Sequence, residues 1–267
     1  MKIALSIATL CLLAVLRADA ESAAERLVNA TLKVFNTAST ATGFLVRDPT
    51  PDTSRTRVVL VTANHTFVKA TDDHVLLVCR VKDEKGAWQR LDHKVFIRKD
   101  GDDLWTRHPS QDIAVIRCEL PPQAVFEALP LKAIADEATI REAGLGVGDT
   151  IFYCSYPYRT EANSAGFPLL RTGVVSGYPL FPVADYPAIF FTGATFSGDS
   201  GAPIAWVANR GGSLNGTLLI AGLIITRTQQ NDHLKSDEWD ITFKRDMDLG
   251  SFVHAAYIME CLDMLPR

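Results

Sequence analysis

The sequence predicts an all-β fold: two six-stranded antiparallel β-barrels followed by a short C-terminal helix. Three observations carry this expectation. Short runs rich in Val, Ile, Leu and Phe recur along the whole chain, each about the length of a strand. Clusters of turn residues separate them, as at 48–54, 82–86, 144–149 and 209–216. Helical spacing stands out in a single stretch, 245–262, where Leu249, Phe252, Val253, Ala256, Tyr257 and Met259 recur on one face.

Taken in order, the chain opens with a targeting segment. Lys2 gives a short positive start, residues 3–16 form an apolar run, and Ala18-Asp19-Ala20 is a small-residue cleavage site. Residues 1–20 therefore read as a signal peptide, and the mature chain starts at Glu21 in a secreted or periplasmic setting. The apolar run is short for a bilayer span, and no later run reaches that length. Strands are expected at 32–36, 43–47, 58–62, 75–81, 94–98 and 113–118. A second set follows at 131–134, 150–155, 170–176, 188–192, 203–207 and 218–226. Two sets of strands without alternating helices point to two barrels rather than to βαβ units. Pro121-Pro122 to Leu129 marks the boundary, giving an N-terminal half, 21–125, and a C-terminal half, 126–267.

Composition narrows the function. A net charge of -4 shows no basic bias and argues against nucleic acid as a partner. Four cysteines follow the signal segment: Cys79, Cys118, Cys154 and Cys261. Export permits disulfides, and Cys79 with Cys118 is the favoured pair because each ends a strand-like run in the first half. The alternative is four buried free thiols. None of the six histidines forms the His-x-x-x-His spacing of a helical zinc site, so no metal or other cofactor is expected.

Chemistry concentrates in three places. Gly198-Asp199-Ser200-Gly201-Ala202-Pro203 sets a serine between two glycines, a pattern that suits a tight turn presenting a hydroxyl. A serine hydroxyl needs a base and an orienting acid to become a nucleophile. His65 offers the base, at the end of the apolar run 58–61 that would deliver it to a rigid position. Asp112 offers the acid, immediately before the apolar run 113–116, where a carboxylate requires a partner.

The segments Val61-Thr62-Ala63-Asn64-His65, Asp112-Ile113-Ala114-Val115-Ile116 and Gly198 to Pro203 resemble the TAAH, DIAL and GDSGGP motifs of the trypsin-like serine peptidases of the chymotrypsin fold. They occur in that family's order, about 45 and about 90 residues apart. The scarcity of cysteines near His65 and Ser200 is similar to its disulfide-poor, bacterial-type branch. The resemblance implies an active site between the two barrels and a polypeptide substrate. It implies a Ser200 nucleophile, His65 as base and Asp112 as its orienter, with the N–H groups of Gly198 and Ser200 as the oxyanion hole. Ala194, Gly222 and Ile224 match positions lining the pocket for the residue before the scissile bond, which implies a preference for small or apolar side chains. Asp199 matches the acid that zymogen-activated members pair with a new N-terminus. No such activation site is visible here, so activity without that pairing is expected. Two residues depart from the motifs: Asn64 replaces alanine, and Ala202 replaces glycine.

Two other functions compete. A catalytically inactive trypsin-like domain could serve as a protein-binding module, and the two departures favour it. An esterase of the α/β-hydrolase type would use Ser200 with Asp232 or Asp237 and His254, but needs strand–helix alternation that the sequence lacks. Oligomeric state is not legible. Sequons stand at Asn29, Asn64 and Asn215; a glycan on Asn64 would obstruct the cleft.

Overall fold

The computed structural model describes residues 21–50, 56–208 and 216–266. The expected signal peptide and Asn215 lie outside the described residues.

The described residues open with helix α1 (Ala23–Ala30). Ser22 and Glu25 form a reciprocal cap: the serine hydroxyl accepts the Glu25 N–H at 3.2 Å, and the Glu25 carboxylate accepts the Ser22 N–H at 2.8 Å. The N-terminal half then runs through β1 (Thr31–Phe35), β2 (Thr40–Arg47), β3 (Arg57–Thr62), the single-turn helix α2 (Asn64–Val68), β4 (His74–Lys82) and β5 (Trp88–Phe96). It continues through β6 (Arg98–Lys99), β7 (Asp102–Asp103), β8 (Thr106–Arg107) and β9 (Ala114–Glu119). The C-terminal half comprises helix α3 (Glu137–Ala143), β10 (Thr150–Ser155), β11 (Leu169–Val175), β12 (Ala188–Thr192), β13 (Pro203–Ala208), β14 (Thr217–Lys235), β15 (Asp240–His254) and helix α4 (Ala256–Asp263).

The C-terminal half is a closed antiparallel barrel in the order β10-β11-β12-β15-β14-β13. The N-terminal half, where the second six-stranded barrel is expected, is barrel-like but does not close. Among the described residues it is an open seven-stranded sheet, β5-β4-β1-β2-β3-β9-β8. Between β5 and β8, β6 and β7 form a separate two-stranded hairpin. Asp100 and Gly101, both at positive φ (53° and 91°), make that hairpin's tight turn. The sheet still curls around one core, because Val95 of β5 and Trp105 beside β8 pack in the same cluster as Leu32, Leu45 and Leu60.

Two expected elements change identity. Residues 131–134 form no strand; Leu131–Ala133 is a short turn of 3-10 helix. The expected helix 245–262 is strand as far as His254, and only Ala256–Asp263 is helical. Pairing decides this. β15 hydrogen-bonds to β12 on one side and β14 on the other, and so supplies the sixth barrel strand that 131–134 was expected to give. Beyond the barrel, β14 and β15 continue together as a projecting arm that turns at 236–239. The four cysteines are free and buried, so Cys79 and Cys118 are not bonded. Burial pushes the Cys118 and Cys154 thiols up to about 12, and at neutral pH they act as small apolar side chains.

A central cluster joins the halves. Leu27 of α1, Phe44 and Val61 of the first sheet, Ala205 and Val253 of the barrel, and Ile258 of α4 are all buried in it. Across the same seam, Lys33 of β1 binds Glu161 of the second half at 2.7 Å. Among the described residues no helix is long and apolar enough to cross a membrane.

His254, at the end of β15, is sealed inside the fold. Its Nδ1 accepts the Ala256 N–H at 3.0 Å, and among the described residues its Nε2 has no partner. Burial pushes its pKa down to about 4. An unfolded imidazole titrates near 6.5, so the unfolded chain takes up a proton that the native chain refuses. Stability should therefore fall as pH drops from about 6.5 to about 4, by roughly 3 kcal/mol at most. Urea unfolding across that range checks this, with His254→Phe expected to flatten the slope.

Candidate active site

Strand register brings His65 to Asp112. β3 and β9 pair with Thr62 opposite Ala114, so β3 delivers the chain to α2 at the edge where β9 begins. Asp112 Oδ2 lies 2.5 Å from His65 Nδ1, and Oδ1 accepts the His65 backbone N–H at 2.8 Å. The Asn64 N–H reaches the Asp112 carbonyl at 3.3 Å. One carboxylate thus holds both the ring and the main chain of the same residue. With Nδ1–H donating to Asp112, the Nε2 lone pair is left for another partner. Burial alone would raise the Asp112 carboxyl; the hydrogen bonds and charge of His65, with the charge of Lys69, outweigh it and hold the carboxyl below the usual range.

Asn64 has a structural task. Its carboxamide oxygen accepts the Trp105 indole N–H at 3.0 Å, and that ring packs on Phe67 of α2. Thr66 of the same sequon is buried.

The serine turn is docked on β2. Thr42 N–H donates to the Ser200 carbonyl at 2.9 Å, and the Thr42 hydroxyl donates to the Gly198 carbonyl at 2.7 Å. Both flanking glycines are required by space and conformation. Gly198 has φ 102°, and a Cβ there would sit 2.2 Å from the Tyr156 carbonyl oxygen. Gly201 has φ 84°, and its Cβ would meet the Thr42 carbonyl oxygen at 2.1 Å. The Ala202 methyl, by contrast, is fully buried among Ile204, Leu219 and Ile224 in the barrel core.

Two donors beside the serine are free. Among the described residues, neither the Gly198 nor the Ser200 N–H has a protein acceptor. The Ser197 carbonyl is drawn to the Tyr158 N–H at 2.7 Å, and in a trans peptide the Gly198 N–H then points the opposite way.

Asp199 is almost without solvent at 1 % exposure. Its Oδ1 binds Arg171 at 2.5 Å, and its Oδ2 accepts the Phe196 N–H at 2.7 Å. Arg171, on β11, also donates to the Ala194 carbonyl at 2.8 Å and to Ser155 at 2.5 Å, and its guanidinium lies over the Tyr153 ring.

His65, Asp112, Gly198 and Ser200 line one cleft of ≈ 530 Å³, within the size range of binding pockets. Among the described residues no hydrogen bond joins Ser200 to His65. Of the three expected pocket positions, Ile224 lines the cleft. Ala194 and Gly222 do not. Ala194 turns its carbonyl inward to Arg171 and Tyr153, and Gly222 is pressed between β13 and β15. Ile225 and Thr226, from the same 222–226 run that resembles the pocket-lining strand, join Ile224 there; sequence reasoning missed Thr195, Phe196, Arg227, Gln229 and Lys69 in the cleft. It missed Arg171 too, because a lone arginine in a strand has no local signature. The parts of the esterase triad do not assemble: His254 is sealed against Phe181, while Asp232 pairs with Arg245 on the arm.

No protein-family model matches the chain, and no curated protein matches it. Solved structures do. The chain is similar to the Rv3671c protease, inactive form, with a TM-score of 0.50 and 15% identity, covering 92% of this chain and 93% of that one. A serine-to-alanine mutant of Rv3671c from M. tuberculosis H37Rv, also in its inactive form, gives the same TM-score and identity, covering 92% of each chain. A human pathogenic astrovirus serine protease scores 0.45 at 14% identity, covering 85% of this chain and 89% of that one. The chain has the fold of the chymotrypsin-like serine proteases.

Proposed function

We propose that the protein is an exported serine endopeptidase that cuts polypeptides through an acyl-enzyme, with Ser200, His65 and Asp112 as its triad. Its two halves, 21–125 and 126–267, would form the walls of the cleft, and residues 1–20 would be removed on export. The observation that carries this reading is the Asp112 clamp on His65, facing the same cleft as Ser200. Asp112 fixes the imidazole tautomer, so Nε2 can take the Ser200 proton as Oγ attacks the substrate carbonyl. The carbonyl oxygen, now negative, accepts from the free N–H groups of Gly198 and Ser200. His65 then gives its proton to the leaving amine, and water hydrolyses the acyl-enzyme by the reverse proton path. Free cleft geometry is commonly looser than that of the substrate complex, which accommodates the unmade Ser200–His65 bond.

That unmade bond also favours a second reading, a catalytically inactive domain that binds a protein partner. A fluorophosphonate probe separates the two. The mature protein should be labelled, Ser200→Ala and His65→Ala should abolish labelling, and Asp112→Asn should slow it by about 10,000-fold. No labelling of the wild-type protein at neutral pH contradicts the enzyme reading. Labelling with ester hydrolysis, but without cleavage of unfolded casein, contradicts the endopeptidase assignment.

Asp199 supports activity without further N-terminal cleavage once residues 1–20 are removed. Arg171 supplies from inside the barrel the positive charge that zymogen-activated relatives bring with a new N-terminus. Arg171→Met leaves a buried carboxylate unpaired, an expected loss of roughly 3–5 kcal/mol in stability together with loss of labelling. Thermal melting and the labelling rate measure this. A melting temperature within about 1 °C of wild type, with undiminished labelling, contradicts it.

A further inference from the structure

Tyr158 has a conformation that its surroundings do not explain by packing. It lies in the left-handed region (φ 49°, ψ 37°), inside a short turn of 3-10 helix, Pro157–Arg159. The next residue, Arg159, also has positive φ (67°). Two consecutive non-glycine residues in this region are strained, and such strain persists only where the surroundings over-determine it. Burial is not the reason, since Tyr158 is 60% exposed. The backbone contact supplies one: the Tyr158 N–H donates to the Ser197 carbonyl at 2.7 Å, which sets the direction of the Ser197–Gly198 peptide. That peptide carries one of the two N–H groups without a protein acceptor beside Ser200.

The side chain holds the strained backbone in place. Its ring lies 5.2 Å from that of Phe196, one residue before Ser197. Its hydroxyl donates to Asp246 at 2.9 Å, on the projecting arm. The same carboxylate binds Arg227 and Gln229, both in the cleft. On the other side, Arg159 donates to the Ala38 carbonyl at 3.1 Å. The turn is therefore tied to the arm, to the serine loop and to the first half at once.

We propose that Tyr158 is the positioning residue of the oxyanion hole: its left-handed backbone, anchored through Phe196 and Asp246, holds the Ser197 carbonyl so that the Gly198 N–H faces the cleft. Tyr158 touches no reacting atom and acts only through this peptide. The catalytic consequence rests on the serine-peptidase reading; the structural one does not. Without the anchors, a residue that resists the left-handed region lets the turn relax, the Ser197 carbonyl loses its donor, and the peptide is free to rotate. Asparagine tolerates that region and keeps the turn without the ring.

Steady-state hydrolysis of a short peptide ester by wild type, Tyr158→Ile and Tyr158→Asn tests this, with thermal melts to show that each variant is folded. Tyr158→Ile should lower kcat at least about tenfold with KM within about twofold, because the lost donor acts on the transition state. Tyr158→Asn should return kcat to within about threefold of wild type. Undiminished kcat in Tyr158→Ile, equal losses in both variants, or an effect confined to KM overturns the proposal. A crystal structure of Tyr158→Ile decides it independently of turnover. A rotated Ser197–Gly198 peptide supports it, and an unchanged one overturns it. Wild-type protein without esterase activity would overturn the peptidase reading alone, leaving the crystallographic result to judge the role of Tyr158.

Discussion

A carboxylate with almost no water must be answered from within the protein, and much of the serine loop is arranged around answering Asp199. Arg171 meets one oxygen and the Phe196 N–H meets the other, while the Asp199 carbonyl accepts the Ala202 N–H at 2.9 Å. These bonds fix residues 196–202 as one turn, with half-buried Ser200 lining the cleft. The same arginine reaches back to the Ala194 carbonyl, so the approach to the turn is held by the group that neutralises it. Loss of that charge would release the approach, the turn and the donors beside Ser200 together.

The first half supplies the other side of the cleft by a different means. Here pairing register does most of the positioning: Thr62 opposite Ala114 sets His65 and Asp112 at one sheet edge. The bidentate hold of Asp112 on one residue then removes rotational freedom from the imidazole. The halves are locked by the shared apolar seam and by Thr42, whose hydroxyl and N–H hold the serine turn while its carbonyl accepts the Thr62 hydroxyl at 2.7 Å. Thr62 lies at the end of β3, three residues before His65. A short chain of threonines therefore links the strand leading to His65 with the loop carrying Ser200.

Local signals made much of this legible. Strands such as β3, β9 and β10 announce themselves because they are buried and apolar, with turn residues at their ends. The three motifs pointed to His65, Asp112, Gly198 and Ser200, which line one cleft. What stayed hidden depends on partners distant in sequence. The helix-like spacing over 249–259 is truly helical only from Ala256; its first part, to His254, is the end of β15, which its two flanking strands make a strand. β5 begins at Trp88, earlier than expected, because as a solvent-facing edge it mixes polar and apolar residues. Arg171 gives no sign of its role until β11 pairs with β10 and sets it beneath Asp199. Ala202 looked like a defect next to the serine, and the fold turns its methyl into core.

The proposed function rests on one cleft that holds Ser200, His65 clamped by Asp112, and the N–H groups of Gly198 and Ser200, which have no protein acceptor among the described residues. The most direct measurement is a crystal structure of the mature protein soaked with a peptide aldehyde. A serine peptidase built this way should form a bond from Ser200 Oγ to the aldehyde carbon. The resulting oxygen should lie within hydrogen-bond distance of the Gly198 and Ser200 N–H groups, with His65 Nε2 beside Oγ. An aldehyde bound in the cleft without that bond, or with its oxygen turned away from both donors, would contradict the proposed function.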